Sequence, residues 1–182
     1  MAFTAQQGAY NVEGSFNIWF QQNITGNLPS WIDGPYFSAS GVNFNYPEKS
    51  LTFPSYSISY LGTQEVPGSP NVGLGGSAVR MNHLMLDVSC WASRTNTAGG
   101  TNDSVRRDVL ELRDMAVSLI MSGKQAINIL DYQAETITAD SVVGLLRLRQ
   151  MDEPVASPDP KPHVHRRRIV ATYAFQELWR PN

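Results

Sequence analysis

Apolar residues recur along this chain with two different periods. From Asn11 to Ile24 they fall at Val12, Phe16, Trp19, Phe20 and Ile24. Steps of three and four put such residues in a stripe on one side of a helix. Asn11 stands where a cap belongs, and Thr25-Gly26-Asn27 ahead of Pro29 ends the element. Gly14 works against it, because an interior glycine costs about 1 kcal/mol. A longer helix is predicted from Asp103 to Ser122, where Val105, Val109, Leu112, Ala116 and Leu119 step by four, three, four and three. Asn102 or Asp103 caps its start, and Gly123 holds the place of a C-terminal glycine.

Elsewhere the period is two, the signature of half-buried strands. Val42, Phe44 and Tyr46 alternate with polar residues, and so do Leu51 and Phe53 between Pro47 and Pro54. The stretch from Tyr56 to Tyr60 continues the rhythm. From Met81 to Trp91, Leu84, Leu86, Val88 and Cys90 face one way, while His83, Met85, Asp87 and Ser89 face the other. Ala126 to Tyr132 is a short strand or extended link. Val142 to Met151 and Val164 to Gln176 are two more strands, with Leu146 and Leu148 on one buried face and Ile169, Ala171, Tyr173 and Phe175 on the other.

Three loops separate these elements. Residues 62–78 are rich in Gly, Pro and Ser, and residues 93–102 carry Gly99-Gly100. The joint at 152–163 holds Pro154, Pro158, Pro160 and Pro162, which makes it stiff and extended. The expectation is an α+β fold in one domain, residues 1–182. A mainly antiparallel sheet of four to six strands carries an N-terminal helix and a long central helix packed on it, and a projecting β-hairpin leaves the body at the Pro-rich joint. No repeat of solenoid length is visible.

Composition narrows the function classes. Only 16% of residues are charged and the formal net charge is -2, which argues against a broad basic surface for nucleic acid. A surface poor in charge suits contact with other protein surfaces. Cys90 is the only cysteine, so no intrachain disulfide forms. No run approaches the roughly 20 apolar residues of a membrane span. Met1 to Tyr10 lacks the basic cluster and apolar run of a signal peptide. The chain is therefore expected to be made in a cytoplasm and to stay soluble there.

Candidate chemistry is sparse. His163 and His165 flank Val164, with Asp159 the nearest third ligand and His83 far off in sequence; this is weak support for a metal site. The serines lack nucleophile-elbow glycines, and Gly73-Leu74-Gly75-Gly76 lacks the Lys of a phosphate loop. No catalytic, cofactor-binding or metal residue is assigned.

Two features carry information. If Leu146 and Leu148 face the core, Arg147 and Arg149 point outward. If Ile169 and Tyr173 do, Arg166 and Arg168 point outward on the partner strand. A hairpin centred on the Pro-rich joint sets Arg149 near Arg166 and Arg147 near Arg168. Like charges in that position destabilise a sheet and favour an anionic partner; a register differing by two would leave them simply solvated. The second feature is a further apolar stripe on the long helix, Leu110, Val117 and Met121. A surface helix needs only one apolar side, so this stripe is covered either by the chain itself or by another subunit. Asp108, Glu111 and Asp114 lie on one side of the same helix and are a candidate acidic partner for a neighbour's arginines.

The layout resembles the tail terminator (tail completion, neck) proteins of long-tailed bacteriophages. The matching stretches are Asn11 to Ile24, the strand Leu84-Met85-Leu86-Asp87-Val88-Ser89-Cys90-Trp91-Ala92, the helix Val105 to Met121, and Val143 to Met151 paired with Arg166 to Phe175. The likeness spans most of the chain by order of elements. The loop at 62–78 and the Pro-rich joint have no counterpart. The resemblance implies helices packed on a sheet, and a homo-oligomeric ring, typically of six subunits, on the upper end of the tail tube. Such a ring ends tube polymerisation and docks the tail to the head connector. Genomic DNA passes through its lumen without sequence recognition. No cofactor, catalysis or membrane is involved, and the location is the virion. Another neck, head completion or tail tube protein is the near alternative. A small nucleic-acid-binding or nuclease-like protein using the arginines and the His pair is the alternative of another class.

Overall fold

A computed structural model describes residues 3–5, 9–25, 42–44, 54–66, 78–93, 102–122, 126–131, 142–154 and 164–181. In chain order the elements are β1 (Phe3–Ala5), α1 (Ala9–Thr25), β2 (Val42–Phe44), β3 (Ser55–Glu65), β4 (Ala78–Ser93), α2 (Asn102–Ser122), β5 (Ile127–Leu130), β6 (Val142–Asp152) and β7 (Val164–Pro181). The fold is α+β and mainly sheet. The strands run in the order β2, β3, β4, β7, β6, β5, with β1 paired to the far end of β7. All neighbours are antiparallel except β2 and β3, which are parallel.

The period-two pattern explains the central strands. Leu84, Leu86 and Val88 of β4 lie opposite Tyr173, Ala171 and Ile169 of β7, and all six are fully buried. Tyr56 and Ile58 of β3 add to the same face. Onto this face α2 packs against β4 and β7, while α1 packs against β5, α2 and β3. The α2 stripe of Val105, Val109, Leu112 and Ala116 is fully buried, as is Ile120; Leu119 is only half-buried.

Aromatic rings join α1 to the sheet. Phe16 lies 5.3 Å from the Tyr173 ring, and Phe20 meets Tyr56 edge-on at 5.3 Å. Such pairs add roughly 0.5–1.5 kcal/mol beyond the area they bury. The Tyr56 hydroxyl donates to the Leu112 carbonyl at 2.8 Å, so one side chain ties the sheet to both helices. At the other side of α1, Ser15 Oγ accepts from the Leu130 amide at 2.8 Å and donates to the Asn11 carbonyl at 2.6 Å.

Several boundaries differ from the sequence reading. α1 begins at Ala9, so Asn11 lies inside the helix; its amide donates to Asp131 at 3.3 Å instead of capping. β3 runs on through Glu65, into what reads as loop. The pairing with β4 shifts between Tyr60 and Gly62, leaving Leu61 as the extra residue of a bulge. Gly62 sits there at φ +148°, a conformation that a side chain would strain. β7 continues to Pro181, where it pairs with β1. Tyr46, Leu51 and Phe53, Gly123, and the bodies of the three loops (67–77, 94–101 and 155–163) lie outside the described residues. So does the tip of the expected projecting hairpin.

Candidate interaction surfaces

The outer side of α2 carries the second apolar stripe. Leu110 is 39% exposed and Met121 is 43% exposed. Val117 is half-buried and packs against the core cluster. It therefore belongs partly to the interior, and the exposed stripe reduces to Leu110 and Met121, with Asp114 between them. The three acidic residues do not share a solvated side. Asp108 is 4% exposed, Glu111 is half-buried, and Asp114 is open to solvent. Three-residue steps rotate around a helix by about 60° each relative to its axis, which carries Asp108 to the edge of the core stripe. Burial raises the Asp108 carboxyl above its usual range, with Arg107 opposing the shift and Glu111 adding to it. Asp114 is engaged by Arg113, whose guanidinium also holds Glu153 at the end of β6. Arg113 Nε donates to Glu153 Oε2 at 3.1 Å.

The four arginines singled out on the last two strands, Arg147, Arg149, Arg166 and Arg168, fall into two separate groups. The β6–β7 register pairs Arg147 with Ala174, Leu148 with Tyr173 and Asp152 with Val170, with a shift at Arg149. Arg149 thus does not face Arg166, and Arg147 does not face Arg168. The hairpin closes around the Pro-rich joint, but its register is offset from the expected one by six to seven residues: β6 meets Val170 to Ala174, and Val164 to Ile169 pair with β4 alone. The like-charge repulsion inferred from the sequence is absent.

Arg147 and Arg149 are both exposed, as the alternation predicts, and Leu146 is fully buried between them and the core. They rim a groove of about 390 Å³ with Met81, Val143, Leu145 and Ala174. Leu145 and Arg147 alternate with buried Leu146, so the groove opens on the sheet face opposite α2; Phe175 of the core and Val143, which packs against the core, line its inner end. Gly144 and Ala174, the latter 4% exposed, form its low points, and Phe175 and Gln176 complete the lining. Leu145 stands 40% exposed at its side.

Arg166 and Arg168 occupy the same far face, where they lie opposite Trp91 and Ser89 of β4. Their anionic partner is in this chain. Arg168 Nε donates to Asp87 Oδ2 at 2.7 Å, and its terminal nitrogen lies 2.5 Å from the same oxygen. A terminal nitrogen of Arg166 is 3.6 Å from Asp87 Oδ2 and 2.9 Å from Ser89 Oγ. Ser89 in turn donates to Asp87 Oδ1 at 3.0 Å. The Arg166 guanidinium sits 4.8 Å above the Trp91 ring, whose π face attracts the cation. Trp91 Nε1 donates to Ser57 Oγ at 2.9 Å. Asp87, Ser89, Trp91 and Ser57 are all at most 4% exposed.

This network was not singled out from the sequence, which assigned Asp87 and Ser89 simply to the face away from the core. The available signal was the coincidence of two polar alternations, Ser55-Ser57-Ser59 and Asp87-Ser89. It predicts a second, polar buried face once the two strands are known to be neighbours.

Among the described residues no three His, Cys, Asp or Glu side chains form a metal-binding group. His163 and Asp159 lie outside those residues. Cys90 is fully buried, and burial pushes its thiol well above the ordinary range. No helix among the described residues is long and apolar enough to cross a membrane. Comparison with protein-family models and with curated proteins yields no match to this chain.

Proposed function

We propose that this chain is a structural virion subunit that forms a ring on the tail tube of a long-tailed bacteriophage, ends tube growth and docks the tail to the head connector. The observation that supports an assembling subunit is the outer side of α2, where Leu110 and Met121 stand open on a helix whose other side already fills the core. Contiguous exposed apolar patches mark interfaces, and half-buried Val117 lies on the same side of α2 between the two open residues. The order of elements supports the choice of the tail terminator among assembling proteins. The ring would bind the tube protein on one side and the connector on the other, with DNA threading its lumen.

Solution mass by light scattering tests the reading, together with electron micrographs and growth of purified tubes. The expected result is a closed ring of fixed number that halts tube elongation at substoichiometric amounts. Stacking without limit would identify a tube subunit. A monomer that cuts DNA in the presence of a divalent cation would identify a nuclease, and either result overturns the proposal. Leu110→Asp with Met121→Asp should give folded monomers, with the native circular dichroism spectrum.

A further inference from the structure

Resting on the ring-forming reading, we infer that the groove beneath Arg147 and Arg149 receives the outer side of α2 from the next copy of this chain. Three observations carry this. The first is charge. Arg113, Arg166 and Arg168 each meet a carboxylate within the chain, whereas among the described residues Arg147 and Arg149 meet none. Two exposed cations at the rim of a groove whose walls mix polar and apolar surface fit a partner that sets an acidic group among apolar residues. The outer side of α2 has that composition, since Leu110, Asp114 and Met121 lie in one line at steps of four and seven. Asp114 is 64% exposed, and its partner Arg113 is the adjacent residue on the same helix. An exposed pair of that kind is worth little, so the carboxylate is available to a second cation.

The second observation is size. The groove runs from Met81 on β4, across Ala174 on β7, to Arg147 on β6. That is two strand spacings, or about 10 Å, which is close to the diameter of a helix with its side chains. Gly144 and Ala174 keep the floor low enough for such a cylinder to settle between Met81 and Leu145.

The third is placement. α2 lies on one face of the sheet and the groove on the other. Each copy therefore offers a donor surface and an acceptor surface that are different and do not overlap. Contact between them is heterologous, head to tail, and such contacts close into rings when the rotation per subunit divides a full turn.

The test uses the full chain. Leu145→Cys and Met121→Cys are made separately; the native Cys90 is buried and stays silent. Mixed under oxidising conditions, the two variants should form a cross-linked dimer that neither forms alone. Arg147→Glu with Arg149→Glu should raise the concentration needed for assembly roughly a hundredfold or more, the scale of opposing a charge pair at a buried contact. Adding Asp114→Arg should restore most of it. If the wild-type chain forms rings but the charge reversal leaves them intact and no mixed cross-link appears, this inference is overturned while the ring-forming reading stands. A wild-type chain that stays monomeric at all concentrations overturns both. Cross-linking of either variant with itself would show a two-fold contact and also overturn it.

Discussion

Asp87→Asn is the substitution that most directly probes the far face of the sheet. The change keeps the shape of the side chain and removes one charge, leaving Arg166 and Arg168 without their carboxylate. Removing one partner from a buried ion pair costs about 3–5 kcal/mol, because the other charge is left uncompensated. Here the side chains of Arg166 and Arg168 are 13% and 27% exposed. Water can therefore reach part of each guanidinium, and the Trp91 ring retains its hold on Arg166. Those two effects bring the expected loss down to about 2–3 kcal/mol, below the range for a fully buried pair. For a chain of this size that lowers the melting midpoint by roughly 5–10 °C. Urea denaturation should show the midpoint shift with an unchanged slope, and the loss should persist at high salt, since buried charges are poorly screened. In the Asp87→Asn background, Arg168→Met should cost much less than it does alone, because the two residues act as one unit. A loss below about 1 kcal/mol, or additive costs for the two changes, would refute the reasoning that Asp87 balances the arginines.

Four further outcomes follow from the core and the helix. Tyr56→Phe should cost about 1 kcal/mol, the worth of a buried hydrogen bond, by removing the bond to the Leu112 carbonyl. Tyr173→Phe should cost nothing or stabilise, because the buried Tyr173 hydroxyl has no hydrogen-bond partner among the described residues; paired denaturation curves compare the two. Asp108→Asn should raise the melting midpoint at pH 7. The folded carboxyl is raised by burial, so the native state binds the proton more tightly and its stability falls as pH climbs from the unfolded carboxylate range through the folded value. The gain should shrink as pH is lowered through that window, and a gain independent of pH would rule out the carboxylate as its source. Finally, Cys90 should react with a thiol reagent only as fast as the molecule unfolds, since it is fully buried and its thiol is held protonated; rapid labelling under native conditions would contradict that.

The sequence made legible whatever a single element determines by itself. Val12, Phe16, Phe20 and Ile24 are buried as their spacing requires, and so is the even-numbered face of β4 from Leu84 to Cys90. Outward placement of Arg147 and Arg149 also follows from the alternation around Leu146. Properties that depend on two elements were not legible. The β6–β7 register rests on where two strands of unequal length meet, and the Pro-rich joint does not fix that point. The bulge at Arg149 shifts it again. The pairing of Asp87 with Arg168 needs the alignment of β4 and β7, strands far apart along the chain. Val117 shows the same limit in a helix: its stripe is apolar, but only the packing against the core decides how much of it is free for a neighbour.

The alignment of β4 with β7 also governs how the chain reaches its native state. These two strands form the centre of the sheet, yet Ser93 meets Val164 and Ala78 meets Trp179. The closure spans about 70 residues at one end and about 100 at the other, an entropic cost that comes before any contact rewards it. Helices α1 and α2 gain their turns locally and early, but the sheet they pack on has no middle until β7 arrives. Such a long closure predicts slow folding for a chain of this size, with the arrival of β7 as a late step. Until that step β4 shows one unpaired edge, rich in Leu, Val and Trp, to any neighbouring chain. Refolding at high protein concentration should lose yield through that edge, and a brief excess of a peptide spanning Val164 to Gln176 should compete for it.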